Sequence, residues 1–342
     1  MSVRLSQAIV FAAILFSPLV GCDTRPDIEP SRVGEELSDE LLLTQKLKYG
    51  KESYEQLCIG CHGAQGDGNG EAARFLDPKP RNFRNAYFKF SSTRSGELPT
   101  DADLKRTIKY GLKGSAMPAF ELLPEQKVEA IIAYVKTFSP KWHERGTGTP
   151  IPVLDDPYRS LDDKSEAIAR GEMVYHGYAT CWTCHPAYVS GDRINDYRSQ
   201  LGFTTYESFR DDIVESVGKA NVEGWMIYPP NFHRDFVRSG ADVESLYRSI
   251  AAGITGTAMP TWVDSMKLDS EEPGAAPLVR PNDLWALAYY VQSLISERPK
   301  KLKPDQVAVR GDRARTIYID GIPADAAKPP EEPKGEEVDV DF

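Results

Sequence analysis

The sequence predicts a mostly α-helical protein built from two similar helical domains in tandem, and three repeated features predict it. The pentapeptide Cys58-Ile59-Gly60-Cys61-His62 recurs as Cys181-Trp182-Thr183-Cys184-His185. The octapeptide Gly111-Leu112-Lys113-Gly114-Ser115-Ala116-Met117-Pro118 recurs as Gly253-Ile254-Thr255-Gly256-Thr257-Ala258-Met259-Pro260, at a constant offset of 142 residues. A duplication of that length marks two copies of one structural unit. Around these motifs the helical pattern also repeats. Gly50 and Tyr54 precede the first pentapeptide and Gly171 and Tyr175 the second, each pair four residues apart on one helix face. Leu104 and Ile108 lead into the first octapeptide, Leu246 and Ile250 into the second. An amphipathic segment follows each Met, with Ile131 and Tyr134 in one copy and Leu287 and Tyr290 in the other.

In chain order, residues 1–21 read as an export signal: Arg4 precedes the apolar run from Ala8 to Val20, which is 13 residues, too short to span a bilayer. The run ends in Leu19-Val20-Gly21-Cys22, which resembles the lipobox of bacterial lipoproteins. That resemblance implies cleavage before Cys22, its lipidation, and a location on the periplasmic side of a bacterial membrane. Residues 22–45 read as a polar tether; some 20 residues reach roughly 70 Å when extended. Residues 46–145 form the first domain. Residues 146–165 form a linker stiffened by Pro150, Pro152 and Pro157. Residues 166–298 form the second domain. Pro80-Arg81-Asn82-Phe83 and Pro229-Pro230-Asn231-Phe232 recur between His and Met in both, as matching loops. From His62 to Asn82 is 20 residues and from His185 to Asn231 is 46, so the second domain holds an insertion of 26. It falls within about residues 187–228, and Tyr206 to Lys219 inside it predicts a helix. Residues 299–342 form a tail, acidic at its end, with a short apolar patch from Thr316 to Ile322.

With 342 residues, 41% apolar and 10% aromatic, the chain has enough for two cores. Forty-one basic against 51 acidic residues give a net charge of −10, the wrong sign for neutralising phosphates, which excludes nucleic-acid binding. Removing residues 1–21 takes away only Arg4 among the charges and leaves −11. Charge therefore steers the protein toward partners with basic patches.

The cysteines carry the chemistry. C-x-x-C-H is the attachment sequence of haem c: thiols at i and i+3 meet the two vinyl groups as thioethers, and the next imidazole reaches the iron. A thioredoxin-like redox motif, a zinc site and a disulfide compete for each pair. A four-Cys zinc site has no need of a His after each pair, and a redox motif has no need of two copies. The five cysteines, Cys22, Cys58, Cys61, Cys181 and Cys184, are all accounted for by lipidation and haem attachment. A second axial ligand comes from Met117 in one copy and Met259 in the other, and Met raises the potential of a His-ligated haem. Proline after each Met restricts the backbone and helps aim the thioether. Met173, Met226 and Met266 lack the glycines and the proline and read as packing residues. Of the other histidines, His143 and His176 read as solvated or packed, and His233 is the one rival for an axial position.

These motifs are similar to those of dihaem class I cytochromes c, over residues 46 to about 145 and 166 to about 298. The resemblance implies two cytochrome c class I domains in tandem, each wrapped around one covalent haem c, and a Gly that lets the first and last helices of each domain cross closely. It implies axial pairs His62 with Met117 and His185 with Met259. Both irons would then be six-coordinate, which implies single-electron relay between redox proteins or subunits of a respiratory complex rather than catalysis, with the lipid as membrane anchor. A dihaem enzyme of the peroxidase or thiosulfate-oxidising type is the alternative; it needs an exchangeable axial site.

Overall fold

A computed structural model describes residues 39–272 and 274–298 and shows a helical protein with one short hairpin. The expected signal segment, Cys22 and the tail lie outside the described residues. The chain divides into the units Met1–Leu42 and Leu43–Phe342, and only the start of a helix is described in the first. The first half of the chain supplies α1 (Asp39–Leu57), α2 (Ile59–His62), α3 (Asp101–Tyr110), α4 (Glu125–Lys136) and α5 (Lys141–Arg145). The second half supplies α6 (Ser165–Met173), α7 (Gly191–Gln200), α8 (Val243–Ala252) and α9 (Asp283–Ser296). β1 (Lys219–Ala220) pairs antiparallel with β2 (Met226–Ile227). Among the described residues no helix is long and apolar enough to cross a membrane.

Local chemistry sets the helix ends. Thr100 and Asp103 form a reciprocal capping box at the start of α3, and Asp242 accepts from the Ser245 N–H at the start of α8. Both helices end at a glycine with positive φ, Gly111 and Gly253. α1 is described from Asp39, inside the expected tether, and the leucines that follow are strong helix formers.

Two hydrophobic cores result. Tyr54, Leu104, Val128, Ile131 and Ile132 belong to the first; Val174, Tyr175, Leu246, Trp285 and Leu287 belong to the second. Each is organised by one helix crossing. A Cβ placed on Gly50 of α1 would lie 2.0 Å from the Ala130 carbonyl oxygen of α4, and one on Gly171 of α6 would lie 2.1 Å from that of Ala286 on α9. Only glycine allows so close an approach. An edge-to-face tyrosine pair fills the space beside each crossing, Tyr54 with Tyr134 at 5.4 Å and Tyr175 with Tyr290 at 5.5 Å. Arg170 of α6 also forks onto Asp283 of α9 at 2.9 and 2.5 Å.

The halves differ in three respects. First, Cys58 lies four residues after Tyr54 but Cys181 lies six after Tyr175. The extra length is wound into a π-helix, Val174–Tyr178, in which the Ala179 N–H donates to the Val174 carbonyl. His176 sits in it with 0% exposure, donating from Nδ1 to the Glu172 carbonyl and accepting the Tyr188 N–H at Nε2.

Second, the insertion is helical at α7, where Ser190 caps the helix, and not over Tyr206 to Lys219 as expected. There the chain is held irregular by tertiary bonds. One Arg210 guanidinium nitrogen donates to the carbonyls of Trp182, Ile213 and Glu215, and Tyr206 and Phe209 pack against the buried Trp182 ring. Those contacts override helical propensity.

Third, the linker is docked. Thr93 bridges to Pro150, the Ile151 N–H donates to the Ser92 carbonyl, and Ile151 is buried in the second core. Farther on, Trp285 Nε1 donates to the Leu154 carbonyl and the Tyr289 hydroxyl to Asp156.

Replacing either crossing glycine should therefore disrupt its half: Gly50→Ala or Gly171→Ala costs at least about 2 kcal/mol by thermal unfolding, the upper range for overpacking. Burial pushes His176 down to about 4, from an ordinary value near 6.5. The folded state binds fewer protons there than the unfolded one, so this stabilisation is complete above pH 6.5 and is lost as pH falls toward 4. The loss is on the order of 3 kcal/mol. Acid unfolding of His176→Phe should show a shallower slope than wild type across that window.

Candidate functional site

Each C-x-x-C-H sequence folds as one tight turn. The Cys61 and His62 N–H groups both donate to the Cys58 carbonyl, at 3.2 and 2.9 Å. Cys184 and His185 repeat this on the Cys181 carbonyl, at 3.1 and 2.9 Å. The turn sets both thiols and the imidazole of each copy along one short stretch of backbone. All four cysteines are free thiols, half-buried. Burial pushes Cys58 up to about 11 and Cys181 up to about 12. A disulfide oxidoreductase needs the opposite shift. Among the described residues no group of three or more His, Cys, Asp and Glu is gathered to hold a metal ion.

The imidazoles are oriented from behind. His62 Nδ1 donates to the Arg81 carbonyl at 3.0 Å, and His185 Nδ1 donates to the Pro230 carbonyl at 3.1 Å. A carbonyl only accepts, so each bond places the proton on Nδ1 and leaves the Nε2 lone pair for a metal, the usual arrangement of an iron- or zinc-bound histidine. Phe83 stacks on His62 at 4.4 Å and Phe232 on His185 at 5.0 Å. The paired Pro-x-Asn-Phe loops thus hold the histidines. Burial lowers the affinity of both imidazoles for protons, His185 down to about 4, which keeps them neutral as ligands must be. The Tyr54 hydroxyl donates to the Gly63 carbonyl at 2.7 Å and the Tyr175 hydroxyl to the Pro186 carbonyl at 3.0 Å, each just after the histidine. These four backbone bonds escape sequence reading, because a carbonyl acceptor has no side-chain signature.

The two Met loops are likewise built alike. Leu112 N–H donates to the Met117 carbonyl at 3.1 Å, and the Ser115 hydroxyl accepts the Met117 N–H at 3.2 Å. Ile254, Thr257 and Met259 repeat both bonds at 3.2 and 3.1 Å. A Cβ on Gly111 would fall 2.7 Å from the Met117 carbonyl oxygen, so the start and end of that loop are pinched together by a glycine. Of the described methionines outside these loops, Met266 is buried in the second core and Met173 packs on it, while Met226 lies half-buried in β2 and belongs to neither core. His143 is exposed on α5. His233 lies half-exposed, with Nε2 3.3 Å from Glu297.

Thiols at i and i+3, an imidazole presenting Nε2, and a thioether on a pinched loop are donor types that suit a covalent haem, and both halves contain all three. The cytochrome c oxidase, cbb3-type, subunit III family matches residues 45–135. A chain of the reducing HAO-like protein complex of Kuenenia stuttgartiensis is similar to this one at 29% identity with a TM-score of 0.54, over 72% of this chain and 96% of its own. No curated protein matches. The chain therefore contains a cytochrome c-type domain over residues 45–135, and that domain implies haem c.

Proposed function

We propose that the protein is a dihaem cytochrome c, two class I domains in tandem, that relays single electrons between redox partners. The observation that carries this reading is the repetition in both halves of the bonds that close the C-x-x-C-H turn, hold the imidazole Nδ1 and close the Met loop. Cys58 and Cys61 would hold the first haem and Cys181 and Cys184 the second, with His62 and Met117, and His185 and Met259, as axial ligands. When bound, each haem supplies a one-electron iron couple. The chain's own contribution is to fix the imidazoles through the Arg81 and Pro230 carbonyls, to hold the thioethers on pinched loops, and to exclude water with Phe83, Phe232 and the tyrosine pairs. With protein ligands on both faces no coordination position is left for a substrate, which favours relay over turnover. The docked linker supports a fixed separation of the two sites. The Kuenenia stuttgartiensis neighbour belongs to a complex, which supports reading this chain as a subunit or partner of redox proteins. Cys22 would anchor the protein by lipid on the periplasmic side of a bacterial membrane.

Mass and pyridine haemochrome measurements on the purified protein should count two covalent haems per chain; none, or one, overturns the reading. Met117→Ala and Met259→Ala should each retain haem and each lower a different one of two potentiometric waves. Unchanged waves in both variants would mean that other ligands are used. Cys22→Ala should move the protein from the membrane to the soluble fraction with an unaltered spectrum, and retention on the membrane would refute the lipid anchor.

A further inference from the structure

The insertion of the second half carries a hairpin turn that touches both candidate sites, and we infer that its Glu223 is a positioning residue for His62, acting through Arg81. This rests on the reading of His62 as a haem ligand. Arg81 has two tasks: its carbonyl accepts the His62 Nδ1 proton at 3.0 Å, while its guanidinium Nη1 lies 3.4 Å from Glu223 Oε2. Both side chains are largely out of solvent, at 23% and 22% exposure, so the pair is screened far less than a surface bridge.

The turn that presents Glu223 is internally braced. The Asn221 side-chain oxygen accepts the N–H groups of Glu223 and Trp225 at 2.9 and 2.8 Å, the Asn221 N–H donates to the Trp225 carbonyl at 2.8 Å, and Gly224 closes the turn at a φ of 82°. It is also anchored at its other side. The Val222 N–H donates to the Gly256 carbonyl at 3.1 Å, in the loop that carries Met259. One turn therefore ties the thioether loop of the second half to the histidine-holding loop of the first.

The charges around it give Glu223 its effect. Arg81, Arg238 and Glu223 are the charges facing Lys89, and burial together with the two cations pushes Lys89 down to about 8 against the pull of Glu223. Glu223 thus acts on Lys89 as well as on Arg81, opposing the positive charge there. Removing its charge raises the positive potential beside the first site and releases the Arg81 side chain, loosening the carbonyl that orients His62. Both effects disfavour the more positive, oxidised iron, and hydrogen bonding behind an axial ligand is an established lever on potential.

The test is a spectrally resolved potentiometric titration of the haem-loaded full chain, after haem counting. Fewer than two haems in the wild type refutes the underlying reading, whatever Glu223 does. With two haems present, Glu223→Gln should shift upward the one wave that Met117→Ala lowers, and leave the other in place. Glu223→Asp, which keeps the charge, should restore the wild-type potential. In an Arg81→Gln background the same Glu223→Gln change should shift that wave clearly less, because the part of the effect that passes through Arg81 is already gone and coupled residues are not additive. No shift, an equal shift of both waves, or an undiminished shift without Arg81 overturns the inference.

Discussion

Everything at the two sites depends on a pair of helices meeting more closely than any side chain permits. Where α1 crosses α4, and α6 crosses α9, the glycine of one lies against a carbonyl of the other. One turn farther along stands a tyrosine, Tyr54 in α1 and Tyr175 in the π-helix that follows α6. The close crossing packs its ring on the opposing tyrosine and lets its hydroxyl reach the carbonyl just past the histidine. A hydroxyl buried at such a place must find an acceptor, and here the acceptor belongs to the C-x-x-C-H turn itself. Burial of the core and placement of the histidine are thus one event. The Phe83 and Phe232 rings complete it by packing against the imidazole on the side of the Pro-x-Asn-Phe loops.

What could be read in the sequence followed from what a side chain can announce. Thiols, imidazoles and thioethers declare their chemistry by spacing, and the duplication at 142 residues separated Met117 and Met259 from Met173, Met226 and Met266. The crossing role of Gly50 and Gly171 was legible only through the resemblance, which implies a glycine where the first and last helices of each domain meet. The role of Arg81 and Pro230 was not legible, because their contribution is a main-chain carbonyl. The segment from Tyr206 to Lys219 reads helical by its own pattern, yet Trp182 needs cover and Tyr206 and Phe209 provide it, with Arg210 gathering the carbonyls of the turn. The linker looked like a spacer because its prolines are visible and its partners are not. Ile151 and the carbonyl of Leu154 are claimed by residues distant in sequence.

The two halves share their donor chemistry, so any difference between the sites must come from what surrounds it. The second half has the π-helix with a buried, neutral His176, an indole between its cysteines, and an insertion laid over that indole. The first has an exposed glycine and a half-buried isoleucine between its cysteines. It also borrows from the second half the carboxylate that balances Arg81. Contacts between the halves fall beside the Met loops as well. Ser95 donates to the Ala252 carbonyl at the end of α8, and Phe236 lies against Gly114, close before Met117. Identical ligands set in unequal dielectric and unequal charge would give the two proposed haems unequal potentials, since burial and outer hydrogen bonds tune an iron centre. A duplicated domain by itself yields two equivalent stations. The additions confined to the second copy, and the reach of one of them into the first, would make the two stations of the proposed relay inequivalent.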